Sequence, residues 1–132
     1  MRALGVDMGD RFIGVAVSDS SGRIALPVEV VDRKGSPDAL GAVGRLAREL
    51  GAEVIVVGLP LGMDGGEWGQ AARIREQAAE LERAGGLPVE LCDERLSSSA
   101  AGALSAPATK RRRGRLDASA AAVILQAWLD AR

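Results

Sequence analysis

Two rhythms of apolar positions divide this chain. In the first part, apolar residues come in short runs of strand length with β-branched content. These are Arg2 to Met8, Arg11 to Ser18 (with Ile13, Val15 and Val17) and Arg23 to Val31. Gly9-Asp10 and Ser20-Ser21-Gly22 punctuate them as turns. Pro27 falls inside the third run. A residue that cannot donate to a ladder belongs on an edge strand or at a bulge. Three consecutive strands joined by short turns predict an antiparallel meander.

From Ser36 the rhythm becomes helical. Ser36-Pro37-Asp38 carries helix-start chemistry, Leu40, Val43, Leu46, Ala47 and Leu50 recur at helical spacing, and Gly51 is a stop. Glu53 to Val57 is nearly continuous and β-branched, as expected of a strand covered on both faces. Gly58 to Gly66 reads as a glycine-rich loop. Trp68 to Ala84 carries Ala71, Ile74, Ala78 and Leu81 on one face and ends at Gly85-Gly86. Leu87 to Cys92 is a further strand, and Ser97 to Leu104 a short helix. Ser105 to Gly114 reads as an exposed basic loop. Leu116 to Leu129 is a final helix, with Ala120, Val123, Ile124, Ala127 and Trp128 turned inward. The order β-β-β-α-β-α-β-α-α predicts an α/β fold: a mixed five-stranded sheet, its first three strands antiparallel and the remainder parallel, flanked by helices. No repeat or linker interrupts it, so residues 1–132 are expected to form one domain.

Composition narrows the chemistry. With 47% hydrophobic and 27% charged residues, the chain can bury a core and is not of the disordered class. No apolar run approaches the roughly 18 residues of a membrane span. The opening MRALGVDMGD meets an acid at Asp7, unlike a secretory signal, so a cytoplasmic protein is expected. The single cysteine, Cys92, sits in an apolar run, reads as a small core residue and fits a reducing compartment. There is no histidine, which excludes a histidine general base, a Ser-His-Asp triad and His-ligated zinc. There is no tyrosine and one phenylalanine, Phe12, so an extended aromatic surface for splayed bases is not expected. Carboxylates, hydroxyls, Lys, Arg or a bound ion must carry any chemistry.

Three places carry candidate carboxylates. Asp7 interrupts an apolar strand, which is costly unless the charge is paired or holds a cation; a turn aspartate closing the strand explains it as well. Asp93-Glu94-Arg95 ends a strand, where sites of α/β sheets gather, although Asp93 could instead cap a helix near Ser97 and Glu94 could pair with Arg95. Asp117 opens the last helix, where an acid also gains from the helix dipole. Taken together, carboxylates converging from two strand ends and a helix start can hold hard cations such as Mg²⁺ or Mn²⁺. Two such ions about 3.5–4 Å apart would flank a phosphate, a mechanism that requires no histidine. Lys110, Arg111, Arg112, Arg113 and Arg115 lie just before Asp117 and read as a phosphate-contacting element. If all five met phosphates of a single strand, log K would fall with log salt with a slope of roughly −3.5. The loop Gly58 to Gly66 matches neither common nucleotide-loop pattern.

These residues resemble a known family. Gly5-Val6-Asp7 with Gly9, then Arg11-Phe12-Ile13-Gly14-Val15-Ala16-Val17-Ser18-Asp19, looks like the opening of the YqgF family, also called RuvX. Val57-Gly58-Leu59-Pro60-Leu61 with Met63-Asp64-Gly65 resembles its second block, and Asp93-Glu94-Arg95-Leu96-Ser97 its third. Leu116-Asp117, Ala120-Ala121 and Ile124-Leu125-Gln126 resemble its last. The blocks occur in order along essentially the whole chain. The resemblance implies an RNase H-like fold similar to RuvC-type Holliday junction resolvases, and a nuclease of pre-16S rRNA 5′-end maturation. It also implies that Asp7, Glu94 and Asp117 are the catalytic metal ligands, selecting Glu94 over Asp93. Gly66 and Ser98 stand where the family often has threonine, and the stretch Ala100 to Ala108 is less typical.

Four functions are compatible with these residues. The first is a metal-dependent endonuclease on RNA, structured or single-stranded. The second is the same chemistry on four-way DNA junctions, which needs two sites on a symmetric dimer; Trp68 or Trp128, if exposed, could serve one, so monomer and homodimer both stand. The third is a nucleotide-binding relative of the actin and sugar-kinase fold, for which 132 residues leave no room for a second domain. The fourth is a non-catalytic nucleic-acid-binding factor, which would gain from losing carboxylates beside phosphates.

Overall fold

The computed structural model describes residues 1–60, 69–93 and 118–132. Five strands form one sheet: β1 (Ala3–Met8), β2 (Phe12–Ser18), β3 (Ala25–Asp32), β4 (Val54–Leu59) and β5 (Val89–Asp93). Their spatial order is β3-β2-β1-β4-β5. β1 pairs antiparallel with β2, and β2 antiparallel with β3. β4 pairs parallel with β1, and β5 parallel with β4. This is the mixed sheet that the two rhythms predict. Three α-helices are described, α1 (Ala39–Glu49), α2 (Gly69–Gly85) and α3 (Ser119–Asp130), with a short 3-10 helix at Arg33–Gly35 before α1.

The strands divide their side chains between two cores. Leu4, Val6, Met8, Ile13, Val15, Val31, Ile55, Val57 and Leu59 face α1 and α2, which add Leu40, Val43, Ala47, Ala71, Ile74 and Leu81. Ala3, Ala16, Val54, Val56 and Cys92 face α3, which adds Ala121, Ile124, Leu125 and Leu129. The period-two alternation of strands produces this division. β4 contributes to both cores, and all its residues are buried, which explains its continuous apolar run. Cys92 is a buried core residue, as read from its sequence neighbours.

Local chemistry sets the element ends. The Asp38 carboxylate accepts from the Gly41 N–H at 3.2 Å and caps α1. After α2 the chain turns at Gly86, whose φ of 71° is left-handed. Pro27 lies on the edge strand, and β3 carries a register shift opposite Val15/Ala16, so the edge-strand and bulge readings both hold. The inward face of α3 differs from the expected one. Ala120 is exposed and Val123 and Trp128 are half-buried, whereas Ala121, Leu125 and Leu129 are buried beside Ile124 and Ala127. Nearly every position of this helix is apolar, so periodicity fixed its orientation poorly. The predicted helix Ser97 to Leu104, the loop Ser105 to Gly114 and the first residues of the predicted last helix lie outside the described residues, as does Trp68.

Candidate active site at the carboxyl edge of the sheet

Because β1, β4 and β5 run parallel, their carboxyl ends share one edge of the sheet. Asp7 sits next to the end of central strand β1 and is half-buried. Alternation puts it on the α3 face with Ala3 and Gly5. Its partner on β2 is Gly14. On the other side Val6 pairs with Val57, so the next residue of β4 is Gly58. The two positions directly beside Asp7 in the sheet are therefore glycines.

Helix α3 is seated directly on β1. A Cβ added at Gly5 would stand 2.6 Å from Leu125 Cβ and 2.9 Å from the Ala121 carbonyl oxygen, so only glycine permits this approach. Farther along α3, Gln126 reaches Ala25, whose pairing with Ser18 places it near the amino end of β1. The helix therefore runs antiparallel to β1. Its start, with buried Ala118, lies toward the Asp7 end.

Of the residues predicted to be ligands, Asp7 is among those described. Glu94 follows Asp93, the last residue of β5, and Asp117 precedes Ala118, but both lie outside the described residues. So do Lys110, Arg111, Arg112, Arg113 and Arg115. Among the described residues no group of three Asp, Glu, His or Cys side chains could hold a metal ion. Asp93 alternates with Leu91 and Val89, which pack on the α1/α2 core, so it faces away from Asp7. Cys92 takes the Asp7 face instead, within the core.

A second cluster follows Asp7 at the hairpin between β1 and β2. The Gly9 N–H donates to the Phe12 carbonyl at 3.0 Å, and a Cβ at Gly9 would stand 2.5 Å from that oxygen. Phe12 lies on the same face as Asp7, because it alternates with Gly14 and Ala16. It is a diagonal neighbour of Asp7 across Gly14, which in antiparallel sheets means about 7–8 Å between Cα atoms. The Arg11 guanidinium covers the Phe12 ring at 4.8 Å from its centroid. It also grips Asp32, the register partner of Phe12, with Nε at 3.2 Å and Nη2 at 3.3 Å. The hydrogen bond to Asp32, with its charge, raises the Arg11 pKa; the bond from Arg11, then that from the Lys34 N–H, lowers the Asp32 pKa. Nearby, Arg33 donates to Gln77 of α2 and touches Met8 Sδ at 3.6 Å, which ties that helix to the strand end beside Asp7. Sequence reasoning noted Phe12 only as the single phenylalanine and missed the cluster. Arg11 and Asp32 are 21 positions apart, so strand pairing alone reveals it.

Two residues of the opening motif have structural work. Ser18 is fully buried, and its hydroxyl oxygen accepts from the Ala3 N–H at 2.8 Å. Asp19 accepts from the Ser21 hydroxyl and from the Arg23 and Ile24 N–H groups, bonds that lower its pKa to about 2 and build the β2–β3 turn.

Comparison with known proteins adds an independent line. The RuvX family, described as Holliday junction resolvase, matches residues 1–131. A protein of Anaeromyxobacter dehalogenans (strain 2CP-C) named "Putative pre-16S rRNA nuclease" is 50% identical over 135 residues, covering 100% of this chain and 98% of that one. A protein of Acidiphilium cryptum (strain JF-5) with the same name is 40% identical over 132 residues, covering 98% of this chain and 84% of that one. Among solved structures, T. thermophilus RuvC in complex with a Holliday junction substrate superposes with a TM-score of 0.68 at 16% identity. That match covers 100% of this chain and 95% of the other. At that identity the likeness concerns the fold, which is the RNase H-like architecture.

Proposed function

The chain belongs to the RuvX family, and from that membership we propose that it is a nuclease that cuts RNA at the carboxyl edge of its sheet, in 5′-end maturation of pre-16S rRNA. The observation that carries the reading is Asp7. It places a half-buried carboxylate on the central strand, at the carboxyl edge where the sites of α/β sheets gather, with glycines beside it on both neighbouring strands. Asp7, Glu94 and Asp117 are the catalytic residues in this reading. Asp93, facing the other side, is not.

An all-oxygen donor set suits a hard divalent cation, Mg²⁺ or Mn²⁺, and the absence of histidine removes the usual competitor ligand. Asp7, with Glu94 and Asp117, would hold it. When bound, the ion supplies positive charge to the phosphate and lowers the pKa of a bound water. The chain's own contribution is position. Gly5 lets α3 close on β1, and the start of that helix lies on the Asp7 side. Arg33 fixes the end of β1 against α2. Lys110, Arg111, Arg112, Arg113 and Arg115 hold the nucleic-acid backbone by charge-assisted bonds to phosphates. The protein works in the cytoplasm, where its substrate is made; among the described residues no helix is long and apolar enough to cross a membrane.

The second reading, cleavage of four-way DNA junctions, is favoured by the family's description and requires a symmetric pair of sites. One experiment separates them. Labelled single-stranded RNA and a four-way DNA junction are incubated with wild type and Asp7→Asn, with Mg²⁺ or Mn²⁺ and with excess chelator. RNA cutting that needs the ion and is lost in Asp7→Asn is expected. Junction cutting alone would replace this reading with the second, and no cutting by wild type would end both.

A further inference from the structure

The Arg11–Phe12–Asp32 cluster has no role in the carboxylate chemistry and little in stability. The ion pair is exposed, at 51% for Arg11 and 39% for Asp32, and exposed pairs contribute little. Its geometry is nevertheless specific. Phe12 supports the guanidinium from below at 4.8 Å, and the two bonds it donates to Asp32 hold it from the side. Its placement is also specific, on the Asp7 face and one diagonal position away across Gly14.

We propose that the Arg11 guanidinium, backed by Phe12 and pinned by Asp32, is the platform on which one unpaired base stacks beside the cleaved phosphate. This rests on the nuclease reading and names the form of its substrate: a strand with at least one unstacked nucleotide at the site. Three arguments carry it. A flat guanidinium seated on an aromatic ring is a stacking surface for bases, which splay out only where RNA is unpaired. Asp32 takes the Nε and one Nη2 donor of Arg11, which leaves fewer N–H groups to hook a phosphate while the plane of the guanidinium stays open. With three aromatic residues in all, Phe12, Trp68 and Trp128, the chain cannot build the extended stacking surface of a sequence-indifferent single-strand binder.

The test uses a fluorescein-labelled single-stranded RNA carrying 2-aminopurine, bound to full-length protein in an Asp7→Asn background so that it is not cut. Wild-type cleavage of the same RNA is measured in parallel. Arg11→Lys keeps the charge and removes the plane, and Arg11→Ala removes both. Both are expected to weaken binding about tenfold and abolish quenching of the 2-aminopurine, with the salt slope unchanged. Phe12→Leu, which keeps the apolar filling, should lose the quenching too, and thermal melting checks that each variant folds. If Arg11→Lys binds like its parent while Arg11→Ala lowers the salt slope by about 0.7, Arg11 is a phosphate contact and the platform is refuted. Unchanged binding and quenching in all variants, with wild type still cutting, overturns the platform and leaves the nuclease reading standing. An Asp7→Asn parent that does not bind the RNA, together with a wild type that does not cut it, overturns both.

Discussion

The side chain of Gln126 lies against the backbone of Ala25 in the place a further strand would take. Its Oε1 accepts from the Ala25 N–H at 2.9 Å, and its Nε2 donates to the Arg23 carbonyl at 2.8 Å. A side-chain amide here repeats the hydrogen-bond pattern of a peptide. Next along the edge comes Pro27, which has no N–H to offer, and then the register shift of β3. An edge with exposed Ile24, Leu26 and Val28 is thereby closed to strand addition.

Gln126→Ala is accordingly expected to cost roughly 1–2 kcal/mol, the net worth of two hydrogen bonds. It should also promote self-association, because the freed Ala25 N–H and Arg23 carbonyl reopen the edge. Thermal melting and light scattering at several concentrations check the two effects. A variant as stable and as monodisperse as its parent would show that the amide does not guard the edge.

Gly5→Ala should destabilise by about 1–3 kcal/mol, the usual cost of overpacking, since its methyl has to displace Leu125 or the Ala121 backbone. Urea unfolding measures the loss. Cleavage should fall more than the unfolded fraction accounts for, because the start of α3 moves relative to Asp7.

Asp19 gives a pH signature. Its three hydrogen bonds hold its pKa near 2 in the native state, below the ordinary aspartate value. A lowered native pKa makes the unfolded state the better proton binder, so the stabilisation is complete above about pH 4 and lost as pH falls toward 2. Asp19→Asn should therefore have a flatter stability profile than wild type between about pH 4 and pH 2, measured by denaturant midpoints. Parallel profiles in that window would exclude Asp19 as the source of the slope.

Asp7→Asn should lower cleavage by at least about 10²-fold, the scale on which removal of one electrostatic contact to the transition state acts. It should leave the fold intact. In wild type, Mn²⁺ or Mg²⁺ at 100 times its Kd should stabilise by about 2.7 kcal/mol, and in Asp7→Asn the shift should shrink. An ion-induced shift of equal size in both proteins would remove Asp7 from the ligand set.

Much of the fold was legible in the sequence because its elements carry unmistakable rhythms. β4 is buried on both faces and apolar throughout, and α2 shows one stripe of Ala71, Ile74, Ala78 and Leu81, all buried. α3 was misread in orientation because a helix rich in alanine and leucine looks alike from several sides; Ala120 is exposed and Leu125 is in the core. At the site, Asp7 announced itself as a charge in an apolar strand. Arg11, Phe12 and Asp32 did not, because their meeting depends on the pairing of β2 with β3, which no local pattern encodes. The structural duties of Ser18 and Asp19 were equally hidden inside a motif that looked chemical as a whole.

The two faces of the sheet also differ in when translation can complete them. A nascent chain that has reached β5 already possesses α1 and α2, and can cover the face bearing Val6 and Ile13. Among the described residues, the opposite face, with Ala3, Ala16, Val54 and Val56, is covered by α3, which is made after all five strands. Such an intermediate presents an apolar surface of the kind that chaperones hold and that aggregates form on. The last helix is thus both the lid of the second core and the step that ends the period of exposure during synthesis.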